Sequence, residues 1–174
     1  MVYCAKNCHG KEQNRGISCY AEGNKADIIY KEDSTVKNAR AVRRHLEKKH
    51  QPAYTYEICE NLNLSQGDYA DISLMFSNFA GCNFSDSSLK NTTILFSDFK
   101  NTIIRNANLE KAQIFDTDFS GAVLENISFK GAKLKKLSFI GAELINVKFE
   151  GVLLAEELSF DQVKLVDTVI PENK

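Results

Sequence analysis

The sequence shows no export-leader pattern, no long apolar run and few residues that carry out chemistry. Met1-Val2-Tyr3-Cys4 leads into polar residues with no apolar stretch behind it. No segment approaches the roughly 20 apolar residues of a membrane helix. These absences predict a soluble, cytoplasmic protein. The five cysteines are an odd number without a leader, which argues against a disulfide framework. From Leu62 onward there is no histidine and one cysteine, Cys82. No phosphate loop, nucleophile motif or catalytic metal spacing is present. The expectation is a protein that is not an enzyme.

Charge is nearly balanced overall but unevenly placed. Residues 1–60 hold 11 lysines and arginines against 8 acids, whereas residues 61–174 hold 11 against 15. Two parts of different chemistry are implied: a small module at 1–60 and a second domain at 61–174.

The second part is periodic. Every fifth residue from Leu64 to Leu154 is large and apolar, nineteen in a row. After one inserted residue the pattern resumes at Phe160, Leu165 and Ile170. Two places before each large residue there is usually a smaller one, as at Ser77, Cys82, Thr92, Ala107 and Ala132. Two places after it, Gly, Asn or Asp recurs, as at Asp71, Gly81, Asn101 and Asn126. These residues tolerate the backbone angles of tight turns. Five-residue steps on an α-helix rotate by about 140°, so no helical face would stay apolar. In a plain strand an odd step switches faces. A short extended piece closed by a turn every five residues satisfies the pattern, with the large and the small residue both inward.

These residues resemble the pentapeptide-repeat family, whose consensus is A-(D/N)-L-x-x. Ala107-Asn108-Leu109-Glu110-Lys111 matches it in full, and Ala132-Lys133-Leu134 and Ala142-Glu143-Leu144 match closely. The resemblance spans residues 62–170 and implies an all-β chain: a right-handed quadrilateral β-helix with four repeats per coil. The expected architecture joins this solenoid to a small α-containing N-terminal module. Twenty-two repeats make about five and a half coils, or a rod about 25 Å long at ~4.8 Å per coil. Phe79, Phe99, Phe119 and Phe139 are 20 residues apart, and Phe160 continues them after the insertion. They are expected to stack as an internal ladder.

Positions between the inward ones face outward and are mostly polar. Met75, Leu95 and Phe115 are the exception, 20 residues apart, with Phe76 and Phe96 beside the first two. They predict an apolar exterior patch, which marks a contact surface. Either the N-terminal segment covers it, through a helix or the Ala53-Tyr54-Thr55-Tyr56 stretch, or another protein binds there. The outer charges are mixed: Asp98, Asp116 and Asp118 are acidic, while Lys130, Lys133, Lys135 and Lys136 form a basic cluster. Some members of the family imitate DNA and bind type II topoisomerases, which is an alternative function. Few residues follow the last repeat, and Val166, Val169 and Ile170 lie near it, so a homodimer through the C-terminal coil is expected.

In the N-terminal module, Asp33-Ser34-Thr35 supplies helix caps and Gln51-Pro52 stops a helix, predicting one over about 36–50. Val36, Ala39, Val42 and Leu46 form its apolar stripe; Lys37, Arg40, Arg44 and Lys48 form a basic one. The run from Val42 to His50 resembles the last helix of a BED-type or C2H2 zinc finger. That resemblance implies zinc held by His45 and His50 with Cys4 and Cys8, or with Cys19 as the alternative thiolate. Thirty-six residues separate Cys8 from His45, a longer gap than such fingers have. The competing reading is a solvated basic helix with reduced thiols. With zinc bound, the basic stripe would suit nucleic acid, making the protein a nucleic-acid-associated adaptor. The principal expectation is an interaction or scaffold protein whose rod presents a surface to a protein partner.

Overall fold

The computed structural model describes the backbone at residues 17–22, 25–30 and 53–55 and the whole chain from 59 to 172. The predicted helix over 36–50, the ligand set Cys4, Cys8, His45 and His50, and the basic residues Lys37, Arg40, Arg44 and Lys48 lie outside the described residues. The alternative ligand Cys19 lies within strand β1, but its side chain is likewise outside the described part.

Two antiparallel strands, β1 (Ile17–Glu22) and β2 (Lys25–Tyr30), pair from Ile17↔Tyr30 to Glu22↔Lys25. This hairpin is not among the elements predicted above. Its signal was present: two runs rich in β-formers separated by Gly23-Asn24, a pair typical of short hairpin loops.

The remaining strands form a parallel β-solenoid of about five coils. One side is a six-stranded sheet. Its order along the rod is β3 (Ala53–Thr55), β4 (Ser73–Met75), β5 (Thr93–Leu95), β7 (Gln113–Asp118), β9 (Lys133–Ser138) and β11 (Leu154–Ser159). A second side is four-stranded: β6 (Ile103–Arg105), β8 (Val123–Glu125), β10 (Glu143–Ile145) and β12 (Lys164–Val166). Isolated parallel bridges such as Asp68↔Ser88 and Asn78↔Asp98 connect the coils elsewhere. The 20-residue period appears directly as Ser73↔Thr93↔Gln113↔Lys133. Strand β3 pairs in the same register with β4, Ala53↔Ser73 and Thr55↔Met75. The sheet therefore takes in backbone upstream of the boundary at residue 61 read from the sequence.

Up to Phe149 both inward positions of the repeats are filled as the pattern requires, whereas Leu165 and Ile170 in the last coil are 40% and 37% exposed. Leu64, Leu74, Phe84 and Leu89 are fully buried, and so are their smaller companions Cys82, Thr92, Ala112 and Ala132. Phe79, Phe99, Phe119, Phe139 and Phe160 form the ladder, with consecutive ring centroids 5.1 to 5.4 Å apart. Buried hydroxyls are satisfied locally: Tyr69 donates to the Leu64 carbonyl at 2.8 Å and Thr102 to that of Phe99 at 2.7 Å. Orphaned donors of this kind would each cost about 1–3 kcal/mol.

Every corner from Asn61 to Asp167 has positive φ. The chain turns there so that the corner N–H donates to a carbonyl one coil on, as from Asp86 to Arg105 at 2.7 Å. Asparagine suits this conformation because its short polar side chain bonds locally. Asn106, Asn126 and Asn146 also pass amide hydrogen bonds from rung to rung, at 2.8 and 2.9 Å.

The insertion lies upstream of where five-residue counting puts it. Leu154 pairs with the outward Lys133, and Ala155 takes the inward place opposite Leu134. Gly131 donates to Gly151, twenty residues on, whereas Gly121 donates to Ile140, nineteen on. The extra residue is Leu153, pushed out to 70% exposure. Placing the bulge between the Gly151 corner and the start of β11 leaves the β9–β11 ladder intact. It also puts alanine where the coil above has leucine. An open cavity of about 510 Å³ results there, lined by Val152, Leu153, Ala155 and Pro171 among others.

Candidate functional site

The exterior of the six-stranded sheet carries the five apolar residues singled out in the sequence. Met75, Leu95 and Phe115 are direct register partners on β4, β5 and β7, forming an outward column. All three are half-buried. Phe76 and Phe96 occupy the adjoining corners and are 47% and 52% exposed. Their rings stack almost parallel, with centroids 5.1 Å apart and planes 7° apart.

Both phenylalanines have left-handed backbone, with φ of 52° and 50°. A bulky side chain is a rare occupant of that region. The solenoid imposes the conformation. Phe76 N–H donates to the Leu95 carbonyl at 2.9 Å, and Phe96 N–H to the Phe115 carbonyl at 3.1 Å. Ser77, Ser97 and Thr117, buried just beyond the corners, donate at 2.9 Å to the carbonyls of Met75, Leu95 and Phe115. The patch thus stands on a hydrogen-bonded scaffold that fixes its shape. Among the twenty-two corners from Asn61 to Asp167, only Phe76 and Phe96 are apolar; most of the rest are Asn, Asp or Gly.

Further along the same face the chemistry changes to charge. Lys135 follows Phe115 in the column and pairs with Glu156 at 2.7 Å, while Lys136 lies 4.0 Å from Asp116. The basic cluster expected from Lys130, Lys133, Lys135 and Lys136 is therefore partly neutralised by acids on neighbouring rungs. The acidic residues are treated likewise. Lys100 bridges Asp98 at 3.4 Å and Asp118 at 3.2 Å, and Arg105 pairs with Glu125 at 2.9 Å. Burial pushes the Asp118 carboxyl upward, but Ser120 and Lys100 outweigh it and hold the group below the usual carboxylate range. The hydrogen bond to Asp118, with the negative charge of both aspartates, raises the Lys100 ammonium. Opposite charges on successive coils interrupt any continuous acidic ridge.

Among the described residues no group of three or more histidines, cysteines or acids is placed to hold a metal ion. Cys59 and Cys82 are both buried, and the Cys82 thiol donates to the Cys59 carbonyl. Burial pushes the Cys82 thiol up to about 12, which makes it a core side chain and a poor nucleophile.

Residues 62–139 match the family model of the pentapeptide repeat region. Over these residues the solenoid is a pentapeptide repeat region. No curated protein matches the chain. Solved pentapeptide-repeat structures similar to it include one from the Arabidopsis thaliana thylakoid lumen, at 19% identity and a TM-score of 0.42, covering 63% of this chain and 73% of that one. Rfr23 from the cyanobacterium Cyanothece 51142 is similar at 18% identity and a TM-score of 0.36, covering 75% and 95%. HetL from Nostoc, involved in regulating heterocyst differentiation, is similar at 12% identity and a TM-score of 0.30, covering 73% and 92%.

Proposed function

We propose that this pentapeptide-repeat protein is a non-enzymatic, cytoplasmic interaction protein that presents the exterior of its six-stranded sheet to a protein partner. The Phe76–Phe96 stack carries this reading. Two large apolar rings occupy corners where the backbone favours Asn, Asp or Gly, and half of their surface faces outward. The local conformation disfavours both rings and neither belongs to the buried core, which is what a binding face would require. The paired outer charges weigh against the DNA-mimicking alternative, which needs an unbroken acidic surface. The exposed Leu165, Val166 and Val169 of the last coil support a second contact, a homodimer through that coil.

A photo-crosslinking residue at position 96 of the full chain tests the principal reading. The captured protein is identified, purified and titrated against the unmodified chain and against the F76N/F96N variant. Binding at least tenfold weaker to the variant supports the assignment. Equal binding to both would refute it.

A further inference from the structure

The patch sits at one end of a face whose two halves differ in chemistry. Over three rungs the outward columns read Ser73, Thr93, Gln113 and Met75, Leu95, Phe115, with Phe76 and Phe96 on the corner. On the next rung they become Lys133 and Lys135, with Lys136 on the corner. Lys133 is exposed and forms no ion pair among the described residues. Lys111, exposed at the opposite corner one rung earlier, is likewise unpaired among them, and its side chain lies beside Gly131. Lys135 is taken up by Glu156 at 2.7 Å, whereas Lys136 lies 4.0 Å from Asp116.

The backbone of the sheet limits what can bind. Its N–H and C=O groups point along the rod and are engaged with the rungs on either side. The exterior face therefore offers side chains only, and a partner cannot dock by adding a strand to it. A segment lying there must satisfy its own backbone, as a helix does. The dimensions agree. Rungs repeat at ~4.8 Å and helical turns at ~5.4 Å, so successive turns stay within about 1–2 Å of successive rungs over three rungs. Strands β4 and β5 are only three residues long. A helix laid parallel to them would leave the apolar patch within two turns.

We infer that the partner element is an amphipathic α-helix running along the rod, with apolar residues at i, i+4 and i+7 over the Met75–Leu95–Phe115 column. The helix would carry acidic residues in the following turn, facing Lys133 and Lys136. The inference rests on the reading that this face binds a protein, and specifies the chemistry of what binds. Leu95, Phe96 and Phe115 form the apolar floor and Lys133 with Lys136 the polar stop.

The test uses the full chain and a fluorescein-labelled helical peptide with that apolar spacing and glutamates in the third turn. Two control peptides carry a central proline, or lysines in place of the glutamates. Saturable binding is expected in fluorescence anisotropy, at least tenfold weaker for the proline peptide and for the F96N variant. The K133E/K136E variant should bind the glutamate peptide at least fivefold more weakly and the lysine peptide more tightly. Circular dichroism and melting of each variant show whether it remains folded. No binding, equal binding of the helical and proline peptides, or indifference of both charged peptides to K133E/K136E would overturn the inference. If the peptide fails but the crosslinked protein still discriminates F76N/F96N, the helix is wrong and the protein-binding reading stands. If the crosslinked protein also ignores the substitutions, both fall.

Discussion

Replacing Phe96 by asparagine sets two opposing effects against each other. A left-handed conformation costs an ordinary L-residue roughly 1–2 kcal/mol, and asparagine is largely relieved of that cost. Against this, the ring is stacked on Phe76 at 5.1 Å, an arrangement worth roughly 0.5–1.5 kcal/mol. It also hides about half of its surface, worth about 1 kcal/mol when full burial gives roughly 1.5–3. The two sides nearly cancel. The F96N variant should therefore unfold within about 1 kcal/mol of the parent in guanidinium titration, with an unchanged slope. The corner itself survives the substitution, since the N–H bond from Phe96 to the Phe115 carbonyl is made by backbone alone. A loss above about 2 kcal/mol, beyond what the stack and the half-buried area can supply, would show that the ring is a packing element. Its unfavourable corner would then be explained by packing and would no longer mark a binding face.

Other positions test the fold and the ends. Phe119 is 1% exposed between Phe99 and Phe139, at 5.2 and 5.4 Å; Phe119→Ala should cost about 3–5 kcal/mol, far more than Phe119→Leu, in denaturant unfolding. Gly67 has no room for a methyl group, since a Cβ would lie 2.3 Å from the buried Tyr69 ring; Gly67→Ala should lower stability by about 1–3 kcal/mol, and a lower melting temperature would register it. Cys82, raised to about 12 from 9.0, stays protonated in the folded chain while the unfolded thiol ionises. Its contribution is complete below pH 9 and is lost as pH rises from about 9 to about 12; C82A should flatten that part of the stability–pH curve, and peptide mapping should find Cys82 unlabelled by thiol reagents at about pH 8 until denaturant is added. If the last coil joins two copies, Val169→Lys, at a residue 85% exposed, should convert a dimer in light scattering to a monomer; a parent that is monomeric at tens of micromolar would reject that contact.

The sequence by itself determined the solenoid. An unbroken five-residue period admits neither a helix nor a plain strand, so Leu64 through Phe149 had to point inward, and a 20-residue coil had to stack Phe79 on Phe99. The same spacing made the Met75, Leu95 and Phe115 column legible before any coordinates, because outward residues stack by the same arithmetic. What lay beyond the period was decided by contacts between coils. Counting by fives made Leu154 inward and put the inserted residue after it; the ladder, by keeping β9 and β11 in register, expels Leu153 and turns Ala155 inward. Nor does a phenylalanine announce a left-handed backbone. Phe76 and Phe96 adopt it because their N–H groups must reach carbonyls on the next rung, and that demand comes from the neighbouring coil. The neutralisation of Lys135 by Glu156, 21 residues away, is likewise a product of stacking with the bulge included. Local pattern fixes which side chains enter the core. The register between coils fixes which outer side chains meet, and with it the shape and charge of the face offered to a partner.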